Sequence, residues 1–130
     1  MVAQAESLGS RMSAAITGAM TTSSAWHIYP DEQSYQADPV NNASAQGNAL
    51  ICQTNTDSGQ TIVVLFAYQN GQLTRSENSA ANITNTISNV TPTAGFVFNQ
   101  NNGLVSGNFQ IQTPVERLTF DAYGSSSRMH

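Results

Sequence analysis

The apolar residues of the first two dozen positions recur at helical spacing. Ala5, Leu8, Met12, Ala15, Ile16 and Ala19 follow the i, i+3, i+4, i+7 rule of one helix face. Gln4, Glu6, Ser7, Ser10, Arg11, Ser13 and Thr17 fill the opposite face. No proline interrupts residues 2–24, although Gly9 and Gly18 each weaken a helix there by about 1 kcal/mol relative to Ala. This is the one stretch patterned for a long helix. Downstream, the pattern alternates at the two-residue period of strands or breaks into turns.

Residues 49–54, 61–68 and 72–77 predict an antiparallel meander. Its middle member is almost wholly apolar, so both its faces should be covered. Asn70-Gly71 suits a tight hairpin, because both residues tolerate positive φ. Residues 95–100 place Phe96 and Phe98 on one face, and 104–113 place Val105, Phe109 and Ile111 on one face. These two predict a second hairpin across Asn101-Asn102-Gly103, with Gly107 as a candidate bulge. After Pro114, residues 115–123 alternate through Leu118, Phe120 and Ala122. Trp26, Ile28 and Tyr29 suggest a short extended piece. Residues 31–47 read as a long surface loop, 78–88 as a helical turn or a weak strand, and 124–130 as a frayed end. Thr91-Pro92-Thr93 reads as a break.

The expected fold is therefore α+β. One domain spans 1–130, with an amphipathic helix at 1–24 and a β-rich head at 25–130 that carries the 31–47 loop. Leu8, Met12, Ala15, Ile16 and Ala19 are expected to pack the helix onto an antiparallel sheet.

Composition narrows the function classes. Charged residues make up only 9% of the chain, and the polarity comes from Asn, Gln, Ser and Thr. There is no lysine, and the four cations are Arg11, Arg75, Arg117 and Arg128. A net charge of -4 argues against binding a phosphate backbone or anionic lipid, both of which need a cationic face. No run of 18 apolar residues occurs in the sequence as it stands. The single cysteine, Cys52, excludes an intramolecular disulfide and, inside Ala49-Leu50-Ile51-Cys52, reads as a small buried hydrophobe.

Catalytic groups are few. His27 beside Trp26 sketches a triad with Asp31 and a serine, but no Gly-x-Ser-x-Gly elbow occurs. Asp31, Glu32 and Asp38 share the 31–47 loop and offer oxygens to Ca²⁺, yet they lack EF-hand spacing, and a solvated loop is the plainer account. We expect no cofactor, no metal and no enzyme activity. Asn42, Asn82 and Asn89 head glycosylation sequons that chance supplies in a chain so rich in Asn and Thr. Tyr29, Tyr35 and Tyr123 are candidates for a sugar platform, with stray surface tyrosines as the simpler reading.

Three stretches carry a resemblance. The amphipathic helix runs into a short strand at 26–29. The strand ending Ala67-Tyr68 meets a Gly turn and then Leu73-Thr74-Arg75. Ile87-Ser88-Asn89-Val90 leads to Phe96-Val97-Phe98. Together with the terminal strand before Arg128, this order resembles the type IV pilin-like family. Within that family it is most similar to the minor pseudopilins of type II secretion, especially the J class, and to related pilus-tip minor pilins. The family's processing site and its apolar membrane segment do not occur in this sequence.

The resemblance implies a structural subunit that initiates or caps a filament. Its partners would be other minor pilins or pseudopilins, and an upstream helix would anchor it in the inner membrane. The head would be periplasmic or at the cell surface, and Val2 and Ala5 would meet neighbouring subunits. No nucleic acid or small-molecule substrate is implied. The rival expectation is an exported β-sandwich binding module, an adhesin or carbohydrate-binding domain that uses the 31–47 loop or the tyrosines. A small hydrolase is the third reading.

Overall fold

The computed structural model describes residues 2–22, 25–55, 58–78, 82–93, 95–101 and 104–125. The 21-residue helix α1 (Val2–Thr22) buries Met12, Ile16 and Met20 completely or nearly so, with Leu8, Ala15 and Ala19 half-buried at its flanks. Three turns of helix at i, i+4 and i+8 give this stripe its direction.

Among the described residues, ten strands follow α1. The first sheet is made of β1 (Ala25–Tyr29), β3 (Ala49–Asn55), β4 (Thr61–Gln69), β5 (Gln72–Glu77) and β6 (Ile83–Ile87), in the order β1-β3-β4-β5-β6. The second contains β2 (Gln46–Gly47), β8 (Phe98–Asn101), β9 (Leu104–Gln112) and β10 (Arg117–Ser125), in the order β10-β9-β8-β2, while β7 (Val90–Pro92) also pairs with β9. Every pairing is antiparallel.

This corrects the expected architecture. The chain is not one long helix laid on a sheet. Strands hold more than twice as many of its residues as helix, and the two sheets face each other as a β-sandwich or open barrel. Two corners separate the sheets. At the first, Asn48 donates its N–H to Pro30 O (3.0 Å), accepts the Tyr68 N–H (2.8 Å), and uses its side-chain Oδ1 to accept the Val97 N–H (2.9 Å). At the second, Asn89 adopts φ 60° and turns the chain from β6 into β7. Asn tolerates this left-handed conformation better than other non-glycine residues. The Val90 N–H then reaches Gly71 O (2.9 Å), and Asn89 O accepts the Gln112 N–H (3.0 Å).

A continuous apolar core fills the space between the sheets. Trp26, Leu50, Phe66, Leu73 and Ile87 enter it from the first sheet and Phe98, Val105, Phe109 and Phe120 from the second. Phe109 and Phe120 stack at 5.4 Å. α1 packs mainly along β10, with Ser13 Oγ donating to Asp121 O. A smaller cluster lies on the outer face of the first sheet, where Tyr29, Ala49, Ile51, Leu65 and Ala67 meet Tyr35 and Val63. Strand β4 is thus covered on both faces.

Several local expectations also change. Residues 31–47 are not all loop. Asp31 accepts the Ser34 N–H (2.7 Å) and caps the six-residue α2 (Glu32–Ala37), and β2 closes the stretch. Residues 78–88 take the second of their two expected forms, a strand, whereas Pro92 ends β7 rather than breaking an element before it. The strand expected from residue 95 begins at Phe98, because Gly95 lies at φ 87°; Val97 and Phe98 are buried. β10 starts at Arg117, after a turn in which Thr113 Oγ1 accepts the Val115 and Glu116 N–H groups (3.2 and 2.9 Å). Asn70 (φ 51°) and Gly71 (φ 82°) form the hairpin turn between β4 and β5. The turn expected at Asn102-Gly103 and residues 126–130 lie outside the described residues.

Gly107 is not a bulge. The register runs through it unbroken, opposite Phe98 and Ala122, and a Cβ there would approach the Phe98 ring to 3.2 Å. The irregularity falls instead between Arg75 and Ser76.

The two helix glycines differ in the same way. A Cβ on Gly9 would run into the Phe120 ring, whereas one on Gly18 meets nothing within 4 Å. Gly18→Ala is therefore expected to stabilise the protein by about 0.5–1 kcal/mol, and Gly9→Ala to destabilise it by about 1–3 kcal/mol through overpacking. Urea melts of the two variants check the opposite signs.

Candidate functional site

Among the clefts of the described residues, two hold candidate chemistry. The larger, about 460 Å³, lies between α1 and the first sheet and is lined by Ala15, Gly18, Ala19, Cys52, Ile62 and Val64, with Thr54. Arg75 and Glu77 also line it and pair at 3.5 Å, and Arg75 Nη1 donates to Thr84 Oγ1 (2.6 Å). Burial pushes the Cys52 thiol up to about 12, so the thiolate needed for nucleophilic or metal chemistry is not formed at neutral pH. Native protein should leave Cys52 unmodified by iodoacetamide at pH 7.5, with alkylation appearing in urea. Mass spectrometry reads the difference, and rapid native labelling would show the cleft opening to the thiol.

The second cleft, about 290 Å³, is lined by Trp26, His27, Ala43, Ser44, Ala45 and Gln100. The indole Nε1 of Trp26 is buried without a hydrogen-bond partner. Asp31 lines a different cleft and caps α2, so the triad sketched from His27 and Asp31 is not assembled.

The acidic stretch serves the backbone. Asp38 Oδ1 accepts the N–H groups of Val40 (3.2 Å) and Asn41 (3.1 Å), and Oδ2 accepts Asn41 Nδ2 (2.8 Å). The Asn41 side-chain bond, then its backbone bond, hold the Asp38 carboxyl below its ordinary value. Among the described residues no group of three or more His, Cys, Asp or Glu side chains converges as a metal site. Tyr29 is buried, correcting its place among the exposed tyrosines. Its hydroxyl donates to Pro39 O (2.6 Å), and its ring meets Tyr35 edge-on at 5.1 Å. Burial first, then the charges of Tyr35 and Asp38, raise the Tyr29 pKa.

Tyr123 alone of the three is fully on the surface, 53% exposed. It stands on the outer face of β9 and β10, opposite Ser106. Strand alternation sends Phe109 and Phe120 inward and Ser106, Asn108, Gln110, Thr119 and Asp121 outward. Cross-strand bonds tie this face together. Asn108 Nδ2 donates to Asp121 Oδ1 (2.5 Å), Gln110 Nε2 to Thr119 Oγ1 (3.4 Å), and Arg117 Nε to Gln112 Oε1 (3.0 Å). In the sequence this row is marked by the alternation of Ser106, Asn108 and Gln110 with Val105, Phe109 and Ile111.

On α1, Val2 and Ala5 lie on the first turns, with side chains outside the described residues. Among the described helices none is long and apolar enough to cross a membrane. No protein-family model, curated protein or solved structure matches the chain.

Proposed function

We propose that this chain is the head of a filament subunit, a minor pilin or pseudopilin that initiates or caps a filament in type IV pilus assembly or type II secretion. The observation that carries the reading is the division of α1. Its buried stripe begins at Gly9, while Glu6 and Ser7 are exposed and Leu8 is only half-buried. Glu6 and Ser7 thus face away from the domain's own core and leave that part of the helix surface open to a neighbouring subunit. The resemblance of the 26–29, 67–75 and 87–98 stretches supports the same reading.

In this proposal the protein is structural and not an enzyme. In the full-length form an apolar N-terminal segment anchors it in the inner membrane, with the head in the periplasm or at the cell surface. Its partners are sister minor subunits, met through the surface around Val2 and Ala5. A hetero-complex with their soluble domains should bury on the order of 1,200–2,000 Å².

The test is expression of the gene-length protein in its own host, followed by fractionation and N-terminal sequencing. Membrane association and cleavage by the prepilin peptidase are expected. Release as a free secreted protein after a signal-peptidase cut would defeat the proposal.

A further inference from the structure

We infer that the outer face of β9 and β10 is a binding platform for a neutral, linear oligosaccharide, with Tyr123 as its stacking residue. The inference is independent of the filament reading.

Three features of this face point to a hydroxyl-rich, uncharged ligand. The first is its chemistry. No charged residue occurs between Glu77 and Glu116, the whole of β6 to β9, and the side chains that β9 turns outward are amides and hydroxyls. An amide presents both a donor and an acceptor, the pairing that adjacent sugar hydroxyls require. Asp121 adds a carboxylate acceptor that would repel an acidic glycan and accept from a neutral one, and the one cation of the row, Arg117 at its far end, is tied to Gln112 Oε1 (3.0 Å).

The second is preorganisation. Asn108 is tied to Asp121, and Gln110 to Thr119, across the strand pair. Each bond uses one donor and one acceptor, so each amide keeps a second N–H and lone-pair capacity for a ligand. Side chains already fixed in one rotamer lose less entropy when a ligand binds.

The third is layout. The register sets Tyr123–Ser106, Asp121–Asn108 and Thr119–Gln110 as successive rows. With two residues between rows, they lie about 7 and 14 Å from the tyrosine along the strands. The exposed Tyr123 ring offers an apolar face at one end and polar rungs beyond it, a length that suits several linked sugars rather than one. Protein partners usually need a desolvated apolar centre, and this face offers a single aromatic ring.

The experiment is an array of neutral and acidic glycans probed with the whole chain, followed by titration of cellotetraose and glucose monitored by amide chemical shifts. Binding is expected for neutral linear glycans, at least tenfold tighter for the tetrasaccharide than for the monosaccharide, with shifts centred on residues 106–110 and 119–123. Tyr123→Ala, at an exposed position, should keep the thermal midpoint while weakening binding at least tenfold, and Asn108→Ala should weaken it too. Val115→Ala, exposed but off this face, should change nothing. Absence of any neutral glycan bound, binding of acidic glycans alone, or Tyr123→Ala binding as well as the parent would each overturn the inference. Loss of filament assembly with glycan binding intact would count against the filament proposal only.

Discussion

Phe66→Ala is expected to cost about 3–5 kcal/mol, the range for deleting a fully buried aromatic side chain. Phe66 has no exposed surface and sits midway along β4, the central strand of its sheet, between Leu50 of β3 and Arg75 of β5. Its ring belongs to the core shared by α1 and both sheets, so the cavity would open where no single element can move in to fill it. Domains of this size are stable by about 5–15 kcal/mol, so the variant should lie close to the unfolding threshold. Urea melts measure the loss directly. A cost below about 1 kcal/mol would mean that β4 is not central.

Asn48→Ala should cost about 1–3 kcal/mol, out of proportion to a half-buried polar residue, because it orphans a buried donor. The Val97 N–H has the Asn48 Oδ1 as its acceptor, and Val97 is 1% exposed. The other two bonds of Asn48 use its backbone and survive the change. Asn48→Asp retains an acceptor at the same place and should lose less. Hydrogen exchange of the Val97 amide separates the two cases: it should accelerate in the alanine variant and stay protected in the aspartate one. Equal stability of Asn48→Ala and the parent would show that this side chain does not join the two sheets.

Both positions bear on the proposed platform. Phe109 and Phe120 anchor β9 and β10 inward, in the core they share with α1 and the opposite sheet. Weakening the core should therefore loosen the Asn108–Asp121 and Gln110–Thr119 rows before it touches the exposed Tyr123 ring.

Periodicity by itself determined α1 and most of the strands. The 3.6-residue recurrence of Leu8, Met12, Ile16 and their neighbours, the unbroken apolar run of β4, and the Asn70-Gly71 turn are local signals, readable because backbone geometry repeats along the chain. The sheet partition was decided elsewhere. Whether the later hairpin extends the first sheet or builds a second depends on the corners at Asn48 and Asn89, whose hydrogen bonds reach residues up to 49 positions away. For the same reason 83–87 became a strand once β5 supplied its ladder, and α2 formed in an apparent loop once Asp31 capped it. Tyr29 shows the limit most plainly. Strand alternation sets it opposite Trp26 and Ile28, on the outer face of the sheet, and only the cluster with Ala49, Ile51, Leu65 and Ala67, covered by Tyr35 and the carbonyl of Pro39, buries it there. The outward row of Ser106, Asn108 and Gln110 was present in the alternation of β9. That β10 would lie beside it in register, placing Tyr123 at its end, is a contact between strands and belongs to the tertiary structure alone.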